Sequence, residues 1–160
     1  MKKLILTIVV LACSLNLSFG QAEADTLSKL KNNAVYINGG TILFSAAVSL
    51  NYERMLVQHI GNIGISSFLR VGVGRFWTIN GDGGFTTVRL GLLTGKRDGH
   101  LELAFGFNAD YPNFGFGDKP PGHPLAGNLG WRYQSPNENL MIRIGVGVPE
   151  FAYVGVGWSF

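Results

Sequence analysis

Leu140-Met141-Ile142-Arg143-Ile144-Gly145-Val146-Gly147-Val148 is the stretch that decides the fold. At the two-residue period of an extended chain, Leu140, Ile142, Ile144, Val146 and Val148 share one face, and Met141, Arg143, Gly145 and Gly147 share the other. The closing segment repeats the pattern, with Ala152, Val154, Val156, Trp158 and Phe160 opposite Phe151, Tyr153, Gly155, Gly157 and Ser159. A face turned to water would carry Lys, Glu, Thr and Gln. Here the second face is mostly tiny, which suits the inside of a small closed barrel, where little side chains and a few paired charges fill the space. A bulky apolar outside and a polar, glycine-rich inside is the transmembrane β-barrel pattern. Closure of the ladder then pairs every backbone group, as hydrocarbon demands.

Working outward, the alternation recurs. Leu101, Leu103, Phe105 and Phe107 oppose Glu102, Ala104, Gly106 and Asn108, and Leu69, Val71 and Val73 oppose Arg70, Gly72 and Gly74. Segments bounded by Gly, Asn, Asp and Pro predict strands at 34–40, 45–56, 63–77, 84–94, 99–109, 125–134, 139–148 and 151–160. The fold class is therefore all-β, an eight-stranded antiparallel up-and-down transmembrane barrel. Short turns at 57–62, 95–98 and 135–138 alternate with connections at 41–44, 78–83, 110–124 and 149–150. Most of the long connections are thus expected at the end away from both chain termini. Aromatic girdles are expected from Tyr52, Trp131, Tyr133 and Trp158 at the terminal end, and from Trp77 and Phe85 at the other.

The 160 residues make one domain, and 14% charged side chains is a lean supply for a fully hydrated surface. Lys2 and Lys3, the apolar run Leu4 to Ala12, and small residues Ser18 and Gly20 form an export signal with cleavage expected after Gly20. The division is then a signal peptide at 1–20, a periplasmic lead-in at 21–33 and the barrel at 34–160. The run is too short for a membrane-spanning helix, which needs about 20 apolar residues. Val10-Leu11-Ala12-Cys13 is a competing, imperfectly ordered lipoprotein box with Cys13 as its acceptor. Cleavage after Gly20 leaves no cysteine, excluding disulfides and thiol chemistry. Without Lys2 and Lys3 the 13 basic residues fall to 11 against 10 acidic ones, and no basic run exceeds Lys96-Arg97, so nucleic-acid binding is excluded as well. In the lead-in, Lys29 and Lys31 beside Leu27 and Leu30 suit either a short helix on the barrel rim or an unstructured approach.

Strand parity turns Glu53, Arg70, Arg89, Glu102, Arg132 and Arg143 away from lipid, where an arginine near the midplane would cost about 2–4 kcal/mol. They are expected to form an ion-pair network that plugs the lumen, since an eight-stranded interior is only just wide enough for side chains. A narrow pore is the third reading, and the arginine surplus would make it favour anions. Among arginines, Glu53 and Glu102 read as ion-pair partners rather than an acid–base couple.

Catalytic signals are thin. Gly72-Val73-Gly74, Gly145-Val146-Gly147 and Gly155-Val156-Gly157 lie inside strands and complete no nucleotide-binding GxGxxG. His59, His100 and His123 stand on separate segments without metal-ligand spacing, so neither metal nor cofactor is expected. The alternative to a non-enzymatic barrel is a lipid A-modifying enzyme using His100 with Ser66 or Ser67. It would need a Ser, His and acidic group facing lipid, and no His-x-Ser pair occurs.

The connection Asp110 to Pro124 carries exposed-type aromatics and four prolines, which limit the entropy lost on binding. Tyr111, Phe114, Phe116, Lys119 and His123 are its candidate contact residues, for an extracellular ligand or lipopolysaccharide, beside the simpler reading of a solvated cap. At the C-terminus, Val154, Val156, Trp158 and Phe160 resemble the terminal signal read by the barrel assembly machinery. Asn51-Tyr52-Glu53-Arg54, Arg70-Val71-Gly72-Val73-Gly74, His100-Leu101-Glu102-Leu103-Ala104-Phe105-Gly106, Gly130-Trp131-Arg132-Tyr133-Gln134 and Val154-Gly155-Val156-Gly157-Trp158-Ser159-Phe160 resemble small outer-membrane β-barrel proteins of the Bacteroidetes type. The architecture is similar to that of OmpX and the OmpA transmembrane domain. That resemblance implies an eight-stranded barrel in the outer membrane of a Gram-negative bacterium. The plugged lumen and the loops add the expectation of a monomer surrounded by outer-membrane lipid, with a structural or surface-interaction role.

Overall fold

The computed structural model describes residues 29–60, 64–79, 81–95, 98–109 and 125–160. Eight strands follow one another: β1 (Asn33–Ile42), β2 (Ser45–Val57), β3 (Ile65–Thr78), β4 (Gly81–Thr94), β5 (Gly99–Ala109), β6 (Leu125–Gln134), β7 (Leu140–Val148) and β8 (Phe151–Ser159). Each pairs antiparallel with its neighbour, and β1 pairs with β8 from Ala34↔Ser159 to Thr41↔Ala152, closing an up-and-down barrel. Paired partners can be followed from Gly40 through Tyr153, Gly145, Gly130, Glu102, Leu93 and Ser66. Carried on to β1, the path arrives about ten residues from its start, a stagger that tilts the strands and sets a bore just wide enough for side chains.

The alternation expected from the sequence is the alternation of burial. Val73, Phe105, Phe107, Ile144 and Val154 stand out from the wall, more than half exposed, while Phe68, Ala104, Met141 and four arginines are sealed inside. The charged side chains on the outward positions of the strands sit near strand ends. Arg54 lies close to the end of β2, and Arg75 pairs with Asp82 beside the β3–β4 turn. Between these edges the outer wall is an uncharged apolar belt.

Three expectations need correction. The connections at 41–44 and 78–83 are not long: β1 runs on to Ile42 and turns through Leu43–Phe44 into β2, while β3 runs to Thr78 and β4 begins at Gly81. Gly81 and Gly83, expected in that connection, lie within β4. Only 110–124 remains as a long connection at that end. Phe85 is no girdle residue. It shares parity with the inward Arg89 and packs inside against Phe76 and Ala47. Trp77, Trp131 and Trp158 do face outward. The described part of the lead-in, residues 29–32, is not a rim helix. It enters the barrel mouth and buries Leu30 against Met55, Phe68, Leu93 and Ala104. The leader, Cys13 and the candidate contact residues Tyr111, Phe114, Phe116, Lys119 and His123 lie outside the described residues.

Candidate functional site: the sealed lumen

The inward residues stack in layers along the bore. At the terminal end, Leu30 corks the mouth, held by Gln58 Nε2, which donates to Leu30 O at 2.8 Å, and by Lys31 Nζ, which donates to Asn139 Oδ1. Gln58 Nε2 also donates to Asn32 Oδ1 at 2.9 Å, and Met55 N to Asn32 O at 2.8 Å. Above the cork is the ion-pair layer.

Glu102, on β5, is its hub. One oxygen accepts from Arg70 Nη2 at 2.6 Å, from Asn128 Nδ2 at 2.6 Å and from Arg143 Nη2; the other accepts from Arg132 Nε and Arg143 Nε, each at 3.0 Å. Glu53, on β2, takes Arg132 with both oxygens, Nη1 at 2.6 Å and Nη2 at 2.7 Å, and takes Arg70 Nη2 at 3.0 Å. Three guanidinium groups and two carboxylates therefore share one buried layer. Aromatic rings complete it: Arg70 lies 4.8 Å from the Phe68 ring centre, and Arg143 lies 4.4 Å from that of Tyr36. Guanidinium over an aromatic face is a favourable electrostatic contact, and it strengthens when desolvated. The burial of five charges is tolerable because each is paired and hydrogen-bonded.

Arg89 reaches this hub only through Asn128, whose Oδ1 accepts from Arg89 Nη1 at 3.2 Å and from Arg70 Nη1 at 2.8 Å, and it has its own carboxylate. Its Nη2 donates to Glu150 Oε2 at 2.8 Å, and Ser49 Oγ donates to Glu150 Oε1 at 3.0 Å. Glu150 was read from the sequence only as half of a turn. In the structure the Pro149–Glu150 turn folds into the bore, with Glu150 fully buried, and the backbone of Gly40 lies directly against it. A Cβ at Gly40 would collide with Glu150 O, which is why this strand position carries none. An unpaired lumen arginine was the signal available: by parity four arginines faced inward against two glutamates, so another acid had to come from a connection.

The residues weighed for catalysis have other engagements. Both ring nitrogens of His100 lie against backbone carbonyls, Nδ1 at 3.1 Å from Thr94 O and Nε2 at 3.3 Å from Gln134 O. Ser66 faces inward, and its Oγ accepts from His59 N at 3.2 Å, whereas Ser67 has outward parity. Among the described residues no three His, Cys, Asp or Glu side chains are placed to hold a metal ion. Val154, Val156, Trp158 and Phe160 all stand on the outer wall, each more than half exposed.

Fold and lumen together define a class, a closed eight-stranded barrel with a cork, a charged plug and an inward turn in place of a bore. No protein-family model matches the chain, nor does any curated protein or solved structure.

Proposed function

We propose that this chain is an integral outer-membrane β-barrel protein of a Gram-negative bacterium, of the small Bacteroidetes type, sealed to solutes and serving a structural or surface-interaction role. The observation that carries the reading is the uncharged apolar belt on all eight strands. In water, each exposed side chain of that size would forgo about 1.5–3 kcal/mol of burial, whereas lipid removes the loss. Strands of 9–14 residues also reach the roughly 9–11 that a tilted membrane strand requires.

The sealed layers favour a structural plug over conduction. The outward Val154, Val156, Trp158 and Phe160 suit recognition by the assembly machinery before insertion, and the connection 110–124 is the surface available to an extracellular ligand or lipopolysaccharide. Electrophoresis of purified outer membranes with and without boiling tests the reading. A band that migrates fast unboiled and slows on heating is expected in that fraction. A heat-insensitive band absent from outer membranes would refute it and leave a secreted barrel whose apolar wall must be covered by something else.

A further inference from the structure

One part of the outer wall is hollow. Gly39 has outward parity between Ile37 and Thr41, and it is paired with Val48 on β2 and Val154 on β8. A Cβ built there would meet nothing within 4 Å, and the backbone is not left-handed, so neither packing nor conformation calls for glycine. Other outward glycines are covered or lie beside charge. A Cβ on Gly127 would come 3.4 Å from the Phe105 ring, one on Gly99 would come 3.3 Å from the Trp131 ring, and Gly84 is paired with Arg75, which bonds Asp82. Glycine weakens a strand interior, and there it often marks a place where a ligand approaches the backbone.

Around Gly39 lies a hollow of about 580 Å³, within the roughly 300–1,000 Å³ of ordinary ligand sites. It follows two paired rows across β1, β8 and β7: Gly39, Val154 and Ile144, then Thr41, Ala152 and Val146. No charged side chain lines it, and the outward hydroxyl of Thr41 is committed to Ser45 O at 2.8 Å. The hollow belongs to the half of the wall away from the termini. The Pro149–Glu150 turn, folded into the bore, does not cover it. Just beyond Thr41, Leu43 and Phe44 stand exposed at the rim, Leu43 in a left-handed backbone conformation that is uncommon outside glycine. Apolar surface thus runs on from the hollow to the edge of the barrel.

These features select an occupant. A stable protein partner would need about 20–30 residues a side, whereas nine line the hollow. A lipid headgroup would need charged or free hydrogen-bonding groups. A hydrocarbon chain needs neither. We propose that the hollow is a binding site for one acyl chain of lipopolysaccharide, the lipid of the outer leaflet, entering past Leu43 and Phe44 and lying over Gly39. The inference rests on the outer-membrane reading above and deepens it.

Native mass spectrometry of the protein extracted from outer membranes in mild detergent tests it. The wild-type barrel is expected to carry one lipid of lipopolysaccharide mass. Gly39→Leu and Ala152→Leu, which fill the hollow from β1 and from β8, should each lower that retention several-fold. Gly84→Leu, which adds the same side chain elsewhere on the outer wall, should leave it unchanged. The fast unboiled band shows that a variant has folded. Retention in a folded Gly39→Leu or Ala152→Leu barrel equal to that of wild type, or a phospholipid held in its place, would overturn the proposal. So would a two-barrel mass that Gly39→Leu splits, which would make a second copy the occupant. Absence of the wild type from outer membranes would instead refute the membrane reading, and this inference with it.

Discussion

Replacing Glu102 with glutamine keeps the shape of the hub and removes one charge. Arg70, Arg132 and Arg143 all pair with Glu102, at 2.6 Å for Arg70 and 2.8 Å for Arg132, and Arg143 has no other carboxylate. After the change, Arg70 and Arg132 share Glu53, and the buried Arg143 guanidinium is left with no carboxylate. Breaking a buried ion pair by removing one partner costs about 3–5 kcal/mol, because the remaining charge stays desolvated. Glu102→Gln should therefore lower stability by at least about 3 kcal/mol, more than a hundredfold in the folded-to-unfolded ratio. The assay is urea unfolding of the protein refolded into lipid vesicles, read by gel mobility without boiling. A second substitution sharpens it. Arg143→Met removes the cation that depends on Glu102 most, so the double variant should be more stable than Glu102→Gln alone, with a coupling of about 1–3 kcal/mol. A Glu102→Gln protein within about 0.5 kcal/mol of wild type, or strictly additive losses, would refute the shared network.

Gly40→Ala drives a methyl group into Glu150 O and should cost about 1–3 kcal/mol, whereas Gly39→Ala, with nothing within 4 Å of the new carbon, should leave the urea midpoint unchanged. Leu30→Ala opens the cork and should lower stability by about 2 kcal/mol or more in the same unfolding assay, without changing how the barrel migrates unboiled. Burial pushes the Glu150 carboxyl up, but Arg89 beside it holds it below the ordinary carboxylate range. Its contribution is thus complete above the ordinary range and lost as pH falls through the lowered value. Glu150→Gln should accordingly be less stable than wild type at neutral pH, with the difference shrinking in acid; a gap that widens on acidification would reverse the sign of the argument. Truncating Phe160 should reduce recovery in outer membranes far more than refolding in vitro.

The alternation of bulky and tiny residues made the barrel legible, because in a closed sheet the two faces have different solvents and parity records both. β2, β5, β6, β7 and β8 lie within one residue of their expected bounds. Parity also put Arg70, Arg132, Arg143, Glu53 and Glu102 on one side of the wall. It could not say which arginine meets which acid, since that depends on the stagger between strands, and stagger is a property of closure. Glu150 escaped for a related reason: a turn has no parity, and its inward fold follows from the space that Gly40 leaves. Leu30 was taken as part of an approach because four residues carry no periodicity. Phe85 is different, since its inward position was implied by Arg89 four residues on.

The seam between β1 and β8 joins residues more than a hundred positions apart, Ala34 with Ser159 at one extreme. No part of that seam can form until the last strand has left the ribosome. Until then the chain has two open edges, and both are templates for pairing with another copy. Loop-closure entropy makes such distant pairing slow. The time between synthesis and closure is thus the period in which this protein is most exposed to aggregation, and the pairing of β8 with β1 ends that period.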